Sequence, residues 1–227
     1  MNESIGIFGK LPAHGDFIER NLPRSFTTPW DDWLQRCLAS SREQIGSNWL
    51  DHYLTSPIWR FVLSPGTVDS NTWAGILLPS VDSVGRYFPL AFVSTIAGHS
   101  DPFLLQLQNS EWFSAAESIA ISGLQEGLNA DETLLRLSNI SAQLNVEILS
   151  SIETTPNGFV ANHNSNTIEA NYATLLNSWQ KSLSNNSGES HSLWWNSPSG
   201  NRPSSLLSCR GLPNAQQYAS MINGQWS

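Results

Sequence analysis

The sequence predicts an α/β fold in which a mixed sheet is covered by helices on both faces. Two observations lead to this prediction. Short apolar runs of strand length occur early and late in the chain, and longer segments with helical periodicity lie between them. The 227 residues are 40% apolar, which is enough for the core of one sizeable domain, and ten tryptophans supply large side chains for that core.

The first part of the chain predicts one strand followed by helices. Thr27 or Thr28 is expected to cap a long helix, with Pro29 in its first turn. Prolines and a glycine punctuate the stretch before this helix, which indicates an ordered loop. The predicted elements are a strand over 4–8, a loop over 11–26, the long helix over 30–46 and a short helix over 47–55.

The rest of the chain predicts strands in two groups with helices between them. Short links join the first three of these strands, which favours antiparallel pairing. Trp194 and Trp195 are neighbours in a predicted strand, so they point to opposite faces, and an open face would expose one of them. The predicted elements are strands over 58–64, 72–78 and 86–97, helices within 101–140 and over 167–183, strands over 192–197 and 204–209, and a final helix from Pro213.

Composition argues against several classes of function. The net charge of −8 repels phosphate backbones, so nucleic acid is not an expected partner. No apolar run approaches the roughly 20 residues of a membrane span, and residues 1–10 lack the pattern of a signal peptide, so a cytoplasmic protein is expected. Cys37 and Cys209 match no metal-ligand spacing and are expected to be buried thiols, with a disulfide between them as the less favoured alternative.

The stretch GIFGKLPAHGDF, residues 6–17, suggests two kinds of chemical site. A glycine before Lys10 is typical of a phosphate-binding loop, but the hydroxyl residue that should follow the lysine is missing, and Pro12 disfavours the helix that such a loop opens. His14 and Asp16 suggest an acid–base pair, but no metal-ligand spacing or nucleophile elbow accompanies them. We therefore predict a rigid structural loop, with no metal and no cofactor.

Charged residues are scarce, at 13% of the chain, and several lie among aromatic residues and prolines. Because an ion buried without a partner costs several kcal/mol, we expect such side chains to pair, or to bond backbone groups, in loops at one end of the sheet. Lys10 and Asp16 are expected to pair with distant charges, of which Asp82 and Arg86 are the first candidates. The favoured interpretation is a network that staples loops together, and a recognition surface or a catalytic site are the alternatives. The candidate partner-binding or loop-organising residues are Lys10, Asp16, Arg20, Asp31, Arg60, Asp82 and Arg86.

Several segments resemble a known family in residue identity, spacing and order. These are GIFGKLPAHGDFIERNLP, WDDWLQ, SPIWRFVLSPG, WAGILLPSVDSVGRYFPL, SLWWNS and GLP. Together they resemble the TagF family of type VI secretion-associated proteins, over about residues 5–97 and again over 192–213. The joint occurrence of GKLP…GDF and PSVD..GR.FPL is specific, because neither pattern fits a general enzyme motif.

The resemblance implies a three-layer α/β/α sandwich, which we expect as a single domain over residues 1–227 with a mixed, partly antiparallel sheet. It implies a bacterial, cytoplasmic accessory protein that represses the secretion machine after translation and is not an enzyme. In the family, repression is linked to binding the forkhead-associated (FHA) scaffold protein and blocking assembly. Some members carry a PP2C-type phosphatase domain. We expect no phosphatase chemistry here, because the chain ends after the TagF-like part.

Two other functions compete with this one. An enzyme of unknown type would use the charged loop residues, and it predicts a deep pocket in which they converge with perturbed pKa values. Those residues are Lys10, His14, Asp16, Asp82 and Arg86. A structural component of the secretion machine would co-purify with the assembled machine, and its deletion would abolish secretion.

Overall fold

The computed structural model of the protein describes residues 5–96, 102–141, 151–155, 158–162, 190–198 and 203–226. The strands are β1 (Ile5–Gly9), β2 (Ile18–Arg20), β3 (Trp59–Leu63), β4 (Thr72–Leu78), β5 (Leu90–Ile96), β6 (Ser151–Thr155), β7 (Gly158–Asn162), β8 (His191–Asn196) and β9 (Ser205–Arg210). The helices are α1 (Arg24–Ile45), α2 (Trp49–Leu54), α3 (Pro102–Gln108), α4 (Ser110–Glu126), α5 (Ala130–Ser141) and α6 (Ala215–Asn223), and a single 3-10 turn spans Gly46–Asn48. The fold is therefore mixed α/β.

Seven strands form one sheet in the order β2-β1-β5-β4-β3-β8-β9, and all of its pairings are antiparallel. The prediction of a mixed sheet is therefore wrong for the strands that the structure describes. The connections give the reason, since β3, β4 and β5 follow one another through short links, and β5 then returns antiparallel beside β1. β6 and β7 form a separate two-stranded sheet, which the sequence analysis did not predict.

Alternate residues of the central strands enter two hydrophobic clusters. The first, which we call the tryptophan cluster, joins strand residues such as Phe61 and Trp73 to α1, α2 and α6. The second, the α4 cluster, joins strand residues such as Val62 to α3, α4 and α5. The neighbours Trp194 and Trp195 enter opposite clusters and are 0% and 8% exposed. Both faces of the sheet are thus covered at this strand, and neither ring is free to serve as an interface anchor.

Helix α1 begins earlier than the sequence predicts. It starts at Arg24 after the extended cap residue Pro23, and Pro29 lies inside the helix rather than in its first turn. Tertiary packing explains the extra turn, because Phe26 is fully buried and its ring lies 5.1 Å from that of Trp30. The hydroxyl of Thr27 donates to the carboxylate of Glu19 on β2 instead of capping the helix. A buried aromatic therefore outweighs the local signals for a start at the threonines.

Strand β2 lies within a stretch that the sequence predicts to be loop. It has three residues, of which only Ile18 is buried, so it shows too little apolar alternation to be recognised. Its register places Ile7 opposite Arg20 and Gly9 opposite Ile18. The strand predicted over 86–97 is shorter than expected, since β5 covers Leu90–Ile96. The helix predicted over 167–183 lies outside the described residues.

Both cysteines are free thiols, so the disulfide alternative is not formed. Cys37 is buried in the tryptophan cluster, and this burial raises the pKa of its thiol to about 12. Cys209 is partly buried against the same cluster, and burial raises the pKa of that thiol too. Such thiols stay protonated and unreactive near neutral pH.

The helices within the described residues include none that is long and apolar enough to cross a membrane.

Candidate functional site

Two loops meet at one end of the sheet, and both contain charged residues that the sequence analysis selected. One follows β1 and the other connects β4 to β5. In the second loop, Val81 and Tyr87 form an isolated antiparallel bridge that closes a tight turn between them. The backbone N–H of Asp82 donates to the carbonyl of Arg86 at 3.1 Å, and Gly85 adopts a φ of 85°, which glycine tolerates without strain. We call the two loops together the loop cluster.

Asp82 is the centre of the loop cluster. Its side chain is fully shielded from solvent, and its Oδ2 accepts from Nζ of Lys10 and from Nε of Arg86, each at 2.7 Å. Its Oδ1 accepts from the backbone N–H groups of Val84 at 3.1 Å and Arg86 at 2.9 Å. One carboxylate therefore orders its own turn and fixes the first loop at a separation of 72 residues.

The protonation of Asp82 follows from these contacts. Burial by itself raises the pKa of the carboxyl group, but the hydrogen bonds from Lys10, from Arg86 and from Val84 outweigh burial and hold the pKa well below its usual range. The carboxylate is therefore ionised at neutral pH. With two cations and two backbone N–H groups bound, it has little capacity left to take a proton from a substrate.

Further hydrogen bonds to backbone carbonyls also connect the two loops. The guanidinium of Arg86 also donates to the carbonyl of Gly15, and the N–H of Ser83 donates to the carbonyl of His14 at 2.9 Å. The hydroxyl of Ser80 donates to the carbonyl of Lys10 at 2.6 Å. Each loop thus satisfies polar groups of the other, and the cluster is held as one unit.

A buried tyrosine binds the backbone at the start of the second loop of the loop cluster. The hydroxyl of Tyr53, on α2, accepts from the N–H of Ser80 and donates to its carbonyl, both at 3.0 Å. Burial strongly raises the pKa of this phenol, so it stays protonated and serves as both donor and acceptor. Tyr53 and Ser80 are not among the predicted site residues, because a tyrosine on an amphipathic helix gives no distinguishing signal and Ser80 stands out only as part of the family pattern PSVD.

His14 and Asp16 do not form an acid–base pair. Nε2 of His14 accepts from the backbone N–H of Ala130 at 2.9 Å, so the imidazole caps the start of α5. Asp16 is exposed and makes no ion pair or hydrogen bond with any other residue in the described part of the chain. The expectation that Asp16 pairs with a distant charge such as Arg86 is therefore wrong, since Arg86 binds Asp82 and the carbonyl of Gly15 instead.

The remaining candidate residues lie elsewhere. Arg20 is exposed, and its Nε lies 3.6 Å from a carboxylate oxygen of Asp131 on α5. Arg60 is the second residue of strand β3 rather than part of a loop, and its Nε and Nη2 donate to both oxygens of Glu117 at 2.7 and 2.8 Å. Asp31 lies on α1 and accepts from the side-chain amide of Gln35 at 2.6 Å. These three residues are therefore not part of the loop cluster.

The outer side of the loop cluster combines apolar and cationic groups. The side chain of Val84 is 68% exposed at the tip of the second loop, and that of Arg86 is 57% exposed beside it. Phe17 is 42% exposed, while its ring packs edge-on against Phe8 at 4.7 Å and Phe88 at 5.1 Å. A rigid tip that exposes apolar groups beside a charge is typical of a protein-binding surface.

No group of three or more histidine, cysteine, aspartate or glutamate side chains is placed to hold a metal ion within the described ranges.

The loop cluster lies inside a region that matches a known family. The family model of the TagF N-terminal domain, described as type VI secretion system-associated, matches residues 6–140. This chain belongs to the TagF family. The resemblance seen in the sequence is thus confirmed, and TagF is an accessory family of type VI secretion rather than a known enzyme family.

A solved structure is similar to this TagF-family chain along nearly its whole length. It is the crystal structure of PA0076 from Pseudomonas aeruginosa PAO1, with a TM-score of 0.78 and 31% sequence identity. The match covers 99% of this chain and 96% of the other chain. A search of curated proteins gave no match.

Proposed function

We propose that this protein represses type VI secretion after translation, in the cytoplasm, by binding the FHA-domain scaffold protein and preventing assembly of the machine. Membership of the TagF family supports the link to type VI secretion. The observation that carries the proposal is the loop cluster, in which buried Asp82 binds Lys10 and Arg86 and holds exposed Val84 at the tip. The cluster is thus pre-organised, which lowers the entropy cost of docking.

The same proposal includes the absence of catalysis by this chain. A carboxylate or histidine that acts as a general acid or base must be free to exchange a proton with a substrate. Asp82 is instead saturated by Lys10, Arg86 and two backbone N–H groups, and His14 is engaged with α5. The loop cluster therefore suits a binding surface better than an enzyme that uses these residues.

We also propose that residues 1–227 form one three-layer α/β/α domain. The two hydrophobic clusters support the layers, since α1, α2 and α6 contribute to the tryptophan cluster while α3, α4 and α5 contribute to the α4 cluster. A single antiparallel sheet shared by both clusters supports the single domain.

A matched pair of surface variants tests the docking surface. Val84 and Leu135 are 68% and 67% exposed, and Leu135 lies on α5, outside the two loops of the loop cluster. We expect Val84→Gln to weaken binding of the purified FHA scaffold by about tenfold or more, as for an interface residue near the centre of contact. Leu135→Gln should bind like the wild-type protein. Equal binding by both variants, or no binding by the wild-type protein, would overturn the proposal.

Secretion in cells tests repression itself. Deletion of the gene should raise secretion, and overexpression should lower it, whereas overexpressed Val84→Gln should lower it less. Loss of secretion on deletion would instead favour a structural component of the machine.

A further inference from the structure

A shallow depression lies beside the loop cluster, between its phenylalanines and helix α1. Phe17, Asp31, Gln35 and Phe88 line it, and its volume is about 260 Å³. This is smaller than the roughly 300–1,000 Å³ of most small-molecule sites, so it suits a single side chain. The loop cluster holds one wall in place, because the N–H of Phe88 donates to the carbonyl of Ser80 at 3.1 Å.

The polar groups that line the depression include two free acceptors. The amide nitrogen of Gln35 donates to Oδ2 of Asp31 at 2.6 Å, which is the one way these two side chains can bond, since a carboxylate only accepts. This bond leaves Oδ1 of Asp31 and the amide oxygen of Gln35 without a hydrogen bond from any residue that the structure describes. Two acceptors beside two aromatic rings match a planar cation that donates several hydrogen bonds.

The local charge of the depression also favours a cation. Asp31 forms no ion pair among the described residues. Partial burial raises the pKa of its carboxyl group, and the nearby carboxylates of Asp32 and Glu19 raise it further. None of the four residues that line the depression carries a positive charge, and the guanidinium of Arg86, two residues before Phe88, is bound to Asp82 and to the carbonyl of Gly15. The depression therefore lacks a positive charge of its own.

We propose that this depression receives the guanidinium of an arginine side chain from the protein that the chain docks against, an inference that rests on the docking function proposed above. Asp31 and Gln35 accept its hydrogen bonds, and the rings of Phe17 and Phe88 contact its planar face or its aliphatic stem. An acidic or phosphorylated side chain would be repelled by the carboxylate of Asp31, and an aliphatic side chain would cover both free acceptors without giving them a hydrogen bond. Arginine satisfies both conditions, since it donates from a planar fork and stacks on aromatic rings.

Two measurements on the full chain test the inference. The first is a titration with N-acetyl-L-arginine amide, followed by the NMR signals of the Gln35 side-chain amide and the Phe17 ring, with N-acetyl-L-norleucine amide as the uncharged probe. The second is the affinity for the purified FHA scaffold. Both compare the wild-type protein with Asp31→Asn, and with Asp32→Asn as the matched control, because Asp32 is the next residue on α1 and does not line the depression.

We expect the arginine probe, and not the norleucine probe, to shift the two signals in the wild-type protein and in Asp32→Asn, and to shift them far less in Asp31→Asn. We expect Asp31→Asn to weaken scaffold binding by about tenfold or more, the loss of a charge-assisted hydrogen bond. No shift with the arginine probe, or equal scaffold binding by Asp31→Asn and the wild-type protein, would overturn the inference while docking stands. If the wild-type protein does not bind the scaffold, docking fails, and the arginine titration alone decides the inference.

Discussion

The ion pair between Arg60 and Glu117 gives a prediction whose size follows from the geometry. Arg60 on β3 donates two hydrogen bonds to Glu117 on α4, and a third from Nη2 to the hydroxyl of Ser114 at 3.2 Å. The side chains of the ion pair are only 11% and 18% exposed. The perturbation is Glu117→Gln, which keeps the shape of the side chain but removes the charge, and leaves the guanidinium largely buried without its counter-ion.

The expected cost lies between two limits. Removing one partner of a fully buried pair costs about 3–5 kcal/mol, whereas an exposed pair contributes about 0–1 kcal/mol. Since more than four-fifths of each side chain is shielded, we expect Glu117→Gln to lower the free energy of unfolding by about 2–3 kcal/mol. Arg60→Met should cost a similar amount, and the double variant should cost less than the sum, with a coupling energy of about 1.5 kcal/mol or more.

Urea unfolding followed by tryptophan fluorescence measures these changes, and the expected shift of the midpoint for Glu117→Gln is about 1 M. The control is Glu126→Gln. Glu126 pairs with Arg136 at 3.4 Å, but these side chains are 55% and 47% exposed, so its cost should stay below about 0.5 kcal/mol. The reasoning is refuted if Glu117→Gln is as mild as Glu126→Gln, or if the coupling energy is below about 0.5 kcal/mol.

Three further predictions concern single residues. The pKa of Asp82 is lowered on folding, so the contribution of this residue to stability is present above the ordinary aspartate pKa of about 4 and is lost as pH falls towards the lowered value. Between about pH 5 and pH 3, the urea midpoint should therefore fall less in Asp82→Asn than in the wild-type protein. Gly9→Ala should prevent recovery of folded protein, since φ of Gly9 is 127° and a Cβ there would overlap the backbone before β5. Gly127→Ala is the control: φ is 67° and the surrounding space is open, so the substitution should cost only about 1 kcal/mol by the same urea assay. Trp33→Phe should destabilise the protein more than Trp30→Phe, by about 1 kcal/mol in urea unfolding. The reason is that Nε1 of Trp33 donates to a backbone carbonyl at 2.7 Å, whereas Nε1 of Trp30, although buried, donates to no residue in the described structure. Equal costs for the two variants would contradict this prediction.

The charges of the loop cluster show how far sequence reasoning reaches. Scarce ions among aromatic residues predict pairing, because an unpaired buried ion is costly, and Lys10, Asp82 and Arg86 do pair. The same reasoning placed Arg60 in a loop at one end of the sheet, whereas it lies in strand β3 and its partner is Glu117 on α4. Sequence patterns identify which residues need partners, but the partner depends on which helix covers the strand.

The lining of the depression shows the opposite limit. Phe17, Asp31 and Phe88 are far apart in the chain and come from a loop, a helix and the approach to β5. Asp31 was selected as a charged residue near the predicted helix start, whereas Phe17 and Phe88 stood out only as part of the family patterns and not as site candidates. No spacing rule joins these three positions, so only the packing of α1 beside the loop cluster reveals the depression.

The sequence by itself determined that the protein has an α/β fold, that its tryptophans are mostly core, that GIFGKLPAHGDF lacks the full pattern of a phosphate-binding loop, and that the chain resembles the TagF family. These conclusions follow from local periodicity, backbone chemistry and the residues of short motifs, which are all properties of residues close together in the chain. Only the tertiary structure decided that the described main sheet is antiparallel throughout, that Asp82 rather than Asp16 binds Arg86, and that Arg60 binds α4. The physical reason is that strand order and ion-pair partners depend on contacts between residues distant in the chain, which a linear pattern does not encode.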